Sequence, residues 1–137
     1  MTQVPPAALE IHAILERYVA IHETIFKFSW RKMLPIPGLF VPIDYGQHEK
    51  ELAGLLRSLL HILEPSEGTR LSINLLEYGV ALSNAIGSLL SICHNLYQKS
   101  QGSDRYDHVA YRAELAIYHA WVERYRALGT RLNRELA

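Results

Sequence analysis

Apolar residues recur three and four positions apart through most of the chain, the spacing that gathers side chains on one face of an α-helix. From about Pro6 to Met33 the series is Ile11, Ile14, Tyr18, Ile21, Ile25 and Phe28. Pro5 and Pro6 suit the entrance of that helix, because a missing N–H is harmless in the first turn. A second series, Leu52, Leu55, Leu56, Leu59, Leu60 and Leu63, follows Asp44, which stands three residues before Gln47 at capping-box spacing. Pro65 ends it, since a residue before proline avoids the helical region.

A third series runs from about Thr69 to Ser100 through Leu71, Leu75, Tyr78, Leu82, Ala85, Leu89, Ile92 and Leu96. The Gly102-Ser103-Asp104 turn comes next and offers Ser103 or Asp104 as the following N-cap. The fourth series, Tyr111, Leu115, Tyr118, Val122, Tyr125 and Leu132, extends to about Glu135. No segment alternates in the manner of a strand. Short connections make sequence neighbours antiparallel, so the pattern predicts an all-α fold, an antiparallel four-helix bundle, with residues 1–137 forming one helical-bundle domain.

One stretch breaks the pattern. Leu34 to Ile43 reads LPIPGLFVPI, and its three prolines forbid a regular helix. It is nevertheless strongly apolar. The expectation is a Pro-rich apolar loop between helices 1 and 2 that folds over one end of the bundle, or docks a protein partner through Leu39 and Phe40.

Composition narrows the function classes. The chain has 137 residues, 49% of them hydrophobic, which is enough for one domain with a sizeable core. Fourteen Lys and Arg balance fourteen Asp and Glu. That balance argues against a phosphate-binding footprint over the whole surface, so a nucleic-acid partner is not expected. A single cysteine, Cys93, excludes an internal disulfide and suits a reducing compartment. The N-terminus lacks a basic n-region and a long apolar core, and Gly79 to Leu96 carries no charge but a polar residue nearly every turn. A spanning helix needs about 20 predominantly apolar residues. The expectation is a cytoplasmic protein with no membrane partner.

The third helix is unusual for a bundle surface. Between Leu71 and Leu96 its one fully charged residue is Glu77. Its polar positions, Asn84, Ser88, Ser91 and Asn95 among them, are small and uncharged, and Gly79, Ser83, Gly87 and Ser91 repeat every four residues. A ridge of small side chains lets another helix approach closely. Four helices around a core leave none fully central, so the ridge is expected to face a second copy, giving a homodimer with helix 3 against its mate.

Two weaker patterns bear on chemistry. His12-Ala-Ile-Leu-Glu16-Arg17-Tyr18 repeats as His119-Ala-Trp-Val-Glu123-Arg124-Tyr125, with five of seven positions identical. If helices 1 and 4 are neighbours, His12, Glu16, His119 and Glu123 converge, a donor set suited to zinc, iron or manganese. The bland reading keeps each His–Glu pair on an exposed helix face and each tyrosine in the core. Arg112 and His119, with six residues between them, resemble the Arg–His pattern of HEPN ribonucleases, themselves helical bundles. The resemblance implies acid–base cleavage of RNA by His119 beside the Arg112 cation. The chain departs from that pattern at Ala113, where the family carries a polar residue.

No glycine-rich phosphate loop, nucleophile elbow or paired-cysteine motif is present. The sequence therefore points first to a non-enzymatic interaction protein, a dimeric adaptor, chaperone-like or scaffold component without a cofactor. A metal-binding bundle and a HEPN-like ribonuclease are the alternatives.

Overall fold

The computed structural model describes residues 6–31, 44–64, 71–103 and 105–136. They form four helices, α1 (Pro6–Arg31), α2 (Tyr45–Leu63), α3 (Ile73–Ser100) and α4 (His108–Leu136), with no strand among the described residues. The expected apolar loop, with Leu39 and Phe40, lies outside them.

Capping explains where the helices begin. Asp44 is the N-cap of α2, its Oδ1 accepting from the Gln47 N–H at 3.0 Å. Helix α3 starts at Ile73 rather than near Thr69, because Ser72 supplies the cap oxygen to the Leu75 N–H at 3.2 Å. Helix α4 is capped by Asp107, whose Oδ1 accepts from the Ala110 N–H at 2.8 Å, and not by Ser103, while Asp104 lies outside the described residues. The chain first has to leave α3. Gly102 adopts a φ of +102°, the left-handed conformation that glycine tolerates best. The Ser103 and Gly102 N–H groups then bond the Gln98 and Lys99 carbonyls, each at 3.1 Å, closing a Schellman turn. Tyr106 is buried in the connection before Asp107 restarts the helix.

The predicted stripes form the core. Ile11, Ile14, Tyr18, Ile21 and Ile25 of α1 are buried with Leu52, Leu55 and Leu59 of α2. Leu75, Tyr78, Leu82, Ala85, Leu89 and Ile92 of α3 join Tyr118, Tyr125, Leu128 and Leu132 of α4. Leu60, in phase with its neighbours, is nonetheless exposed.

Helix α3 occupies the middle of the bundle, packed along its length against α2 and α4 and more lightly against α1. The ridge of small residues is part of the reason. A Cβ at Gly79 would lie 2.5 Å from Leu63 Cδ2, so α2 crosses there against bare backbone. Ser83 is buried and turns its hydroxyl back to the Val80 carbonyl at 2.7 Å. The premise that no helix of four is central therefore does not hold for α3, which touches all three others. Its sequence is long and apolar enough to cross a membrane, and 56% of that apolar window is buried inside the fold.

Candidate functional site

Two regions carry the residues of interest: the outer face of α3, and the seam between α1 and α4.

On α3, the two neighbours bind opposite flanks. Gly79 and Gly87 meet Leu63 and Leu56 of α2. On the other flank, Glu114 of α4 accepts from Ser91 Oγ at 2.7 Å and from Asn95 Nδ2 at 2.6 Å. Nearer the start of α3, Arg131 bonds Asn74 Oδ1 at 2.8 Å and pairs with Glu77 at 3.3 Å. Asn74 also reaches the Glu135 carboxylate at 2.6 Å. Of the predicted interface residues, Gly79, Ser83, Ser91 and Asn95 are thus engaged within the chain. Asn84 is exposed, while Gly87 and Ser88 are half-buried.

Between these flanks a strip of α3 remains open. Ile73, Leu76 and Val80 are 75%, 39% and 45% exposed, and Asn84 continues the strip one turn on. Leu60 of α2 (48%) and Ile117 of α4 (56%) are exposed as well. The Gly79–Leu63 and Gly87–Leu56 contacts set a register that places Leu60 level with Ser83. The Ser91–Glu114 bond similarly places Ile117 level with Ser88. The one charge on the strip, Glu77, is exposed beside Ile73 and Val80 and is paired with Arg131 of α4 at 3.3 Å.

The α1/α4 seam is built differently. No Cα of α1 approaches one of α4 within 8 Å among the described residues. The space is closed by rings. Tyr18 stacks edge-on against Tyr125 with centroids 6.0 Å apart, and Tyr125 meets Tyr78 in the same way at 6.3 Å. Phe26 stacks on Tyr118 at 5.9 Å and tilts against His22 at 4.7 Å.

A buried phenol needs a hydrogen-bond partner. Tyr18 Oη and Tyr118 Oη lie 2.5 Å apart, and Tyr118 Oη is 2.5 Å from His22 Nδ1. One consistent proton order satisfies all three groups: Tyr18 donates to Tyr118, and Tyr118 donates to a neutral His22. Burial pushes the Tyr18 and Tyr118 phenols well above their usual range. Burial, and then the nearby His119, hold His22 below the ordinary histidine value. The row is therefore neutral at physiological pH, a structural tie with one half-exposed imidazole at its end.

The HAxxERY repeat resolves into this packing. Its two tyrosines, Tyr18 and Tyr125, are the edge-on pair. Its histidines and glutamates lie on the outside: His12 pairs with Glu16 at 2.9 Å in solvent, and His119 and Glu123 are exposed. Among the described residues, no group of three or more His, Cys, Asp or Glu is placed to hold a metal ion. Arg112, like His119, is exposed on α4. Cys93 is fully buried, and burial pushes its thiol up to about 12, so it behaves as a small hydrophobe. Sequence reasoning missed the His22–Tyr118 bond. The available signal was His22 four residues after Tyr18, one turn along the same face.

No family model, curated protein or solved structure matches this chain.

Proposed function

We propose that this chain is a non-enzymatic helical-bundle interaction protein, a dimeric adaptor, chaperone-like or scaffold component, that pairs with a second copy through the outer face of α3. The observation that carries the reading is the open, largely apolar strip of Ile73, Leu76, Val80 and Asn84, whose one charge, Glu77, is already paired with Arg131, and which is flanked by exposed Leu60 and Ile117. Large apolar side chains that stay in water on one contiguous face favour a covering partner. Burying such a side chain outright contributes about 1.5–3 kcal/mol, and covering its exposed part contributes the corresponding fraction.

A second copy is the occupant that matches the strip. An apolar face whose one carboxylate is paired within its own chain is well met by another such face, and in an isologous pairing each copy supplies the same one. Helix α3 has 28 residues, about 42 Å of length at the usual rise, and the α2 and α4 rims widen the contact. Stable complexes cover roughly 800 Å² on each partner. The single buried thiol accords with a cytoplasmic setting.

Light scattering tests the reading. The wild type is expected to be dimeric at micromolar concentration. A Cβ at Gly87 would meet only Leu56, at 3.9 Å, so a side chain there fits the single chain. Gly87→Glu and Val80→Glu should therefore keep the circular-dichroism spectrum and yield monomer. A monomeric wild type, or a Gly87→Glu protein that stays dimeric, refutes the proposal.

A further inference from the structure

On the opposite side of the bundle from the α3 strip, α1 and α2 leave a cleft of about 670 Å³. That volume falls in the range of sites that enclose small organic ligands. Two features single it out. First, Arg17 and Lys50 line it, and neither forms an ion pair with a described residue. Glu51 is the one carboxylate in the lining, and it is engaged by Gln47 Nε2 at 3.1 Å.

The second feature is Gly54. Glycine inside a helix is unfavourable relative to alanine and normally has a packing reason. Gly79 and Gly129 have one, since Leu63 and Tyr78 press against them. Gly54 has none: nothing lies within 4 Å of the place its Cβ would take. It lines the cleft with Ala20, Ile21 and Leu55, so the wall beside the cations is apolar and stripped to backbone.

We infer that the α1/α2 cleft is a binding site for a small organic anion, its phosphate or carboxylate head held by Arg17 and Lys50 and its apolar body laid against Gly54. Arg17 offers a fork of donors matched to a two-oxygen head group, and Lys50 adds a mobile point charge. Glu51 disfavours cationic ligands. The site lies away from the proposed dimer face, so it stands whether or not the chain pairs.

The test is NMR titration of the full-length protein with phenyl phosphate, benzoate and inorganic phosphate. Phenyl phosphate or benzoate should shift the Gly54 amide and the His48 ring signals saturably in the millimolar range or tighter, and which of the two binds better identifies the head group. Arg17→Gln, at an exposed position, should weaken binding about tenfold or more. Gly54→Ala should raise the unfolding temperature, because the added methyl fits the empty chain, and should weaken binding, because the methyl takes the ligand's place. The inference falls if neither organic anion produces saturable shifts. It also falls if Arg17→Gln binds as well as the wild type, or if inorganic phosphate binds as tightly as phenyl phosphate, an adventitious ion only.

Discussion

The α2/α3 contact and the α1/α4 seam join helices of one bundle by opposite means. At the first, Gly79 removes a side chain so that Leu63 packs against backbone. At the second, helices too far apart for backbone approach are bridged by the longest rings in the core, and the bridge needs hydroxyls at its tips. The contrast teaches that helix separation is set by the side chains between helices, and that each regime has its own vulnerability. A close contact fails when an atom is added; a wide seam fails when an atom is taken away.

The largest effect expected from that contrast is at Tyr118. Removing its ring with Tyr118→Ala should cost about 3–5 kcal/mol, as for other large aromatic side chains lost from a core. Tyr118→Phe keeps the ring and deletes the oxygen that both Tyr18 and His22 use. It should cost about 1–3 kcal/mol, the penalty for leaving buried polar groups unpaired. Urea unfolding measures both, and a Tyr118→Phe protein as stable as the wild type would break the account of the seam.

Next in size is the glycine pair on α3. Gly79→Ala and Gly87→Ala gain the same helix propensity, so their difference isolates the contact with α2. Gly79→Ala drives a methyl into Leu63, whereas Gly87→Ala finds ordinary contact with Leu56 at 3.9 Å. Overpacking typically costs about 1–3 kcal/mol, and the midpoints of the two variants in urea should differ in that direction.

The smallest effect is a pH dependence. His22 is held below the ordinary histidine value in the folded protein, by burial first and His119 second. The unfolded chain therefore takes up its proton at higher pH than the folded one. The His22 contribution is fully present above the unfolded value of about 6.5 and is lost as pH falls through the folded one. Urea midpoints at neutral and mildly acidic pH should show a loss that is smaller in His22→Gln. An equal loss in both proteins would assign the dependence to other groups.

Periodicity made the fold legible. Ile11, Ile14, Tyr18, Ile21 and Ile25 were placed on one face by spacing alone and are buried together. Asp44 and Gln47 announced a cap that the backbone forms. Periodicity says that a face is covered, but not by what. The ridge of Gly79 and Ser83 reads identically whether α2 or another copy lies on it, and α2 is what Gly79 meets. Short-range rules also missed the cap of α4: Ser103 has cap chemistry, but Asp107, just after the buried Tyr106, supplies the oxygen that bonds the Ala110 N–H. The Tyr118–His22 bond joins residues 96 positions apart, beyond any local pattern. The HAxxERY repeat carried a real signal in its tyrosines, while its histidines and glutamates face solvent.

The Tyr18–Tyr118 bond spans 100 positions of chain. On a ribosome adding roughly 5–20 residues per second, that interval is on the order of 5–20 s. For all of it Tyr18 waits without the hydroxyl it will bond, while α2 and α3 emerge and can already fold against each other. Helix α1, made before the other three, is the one whose final placement depends on α4.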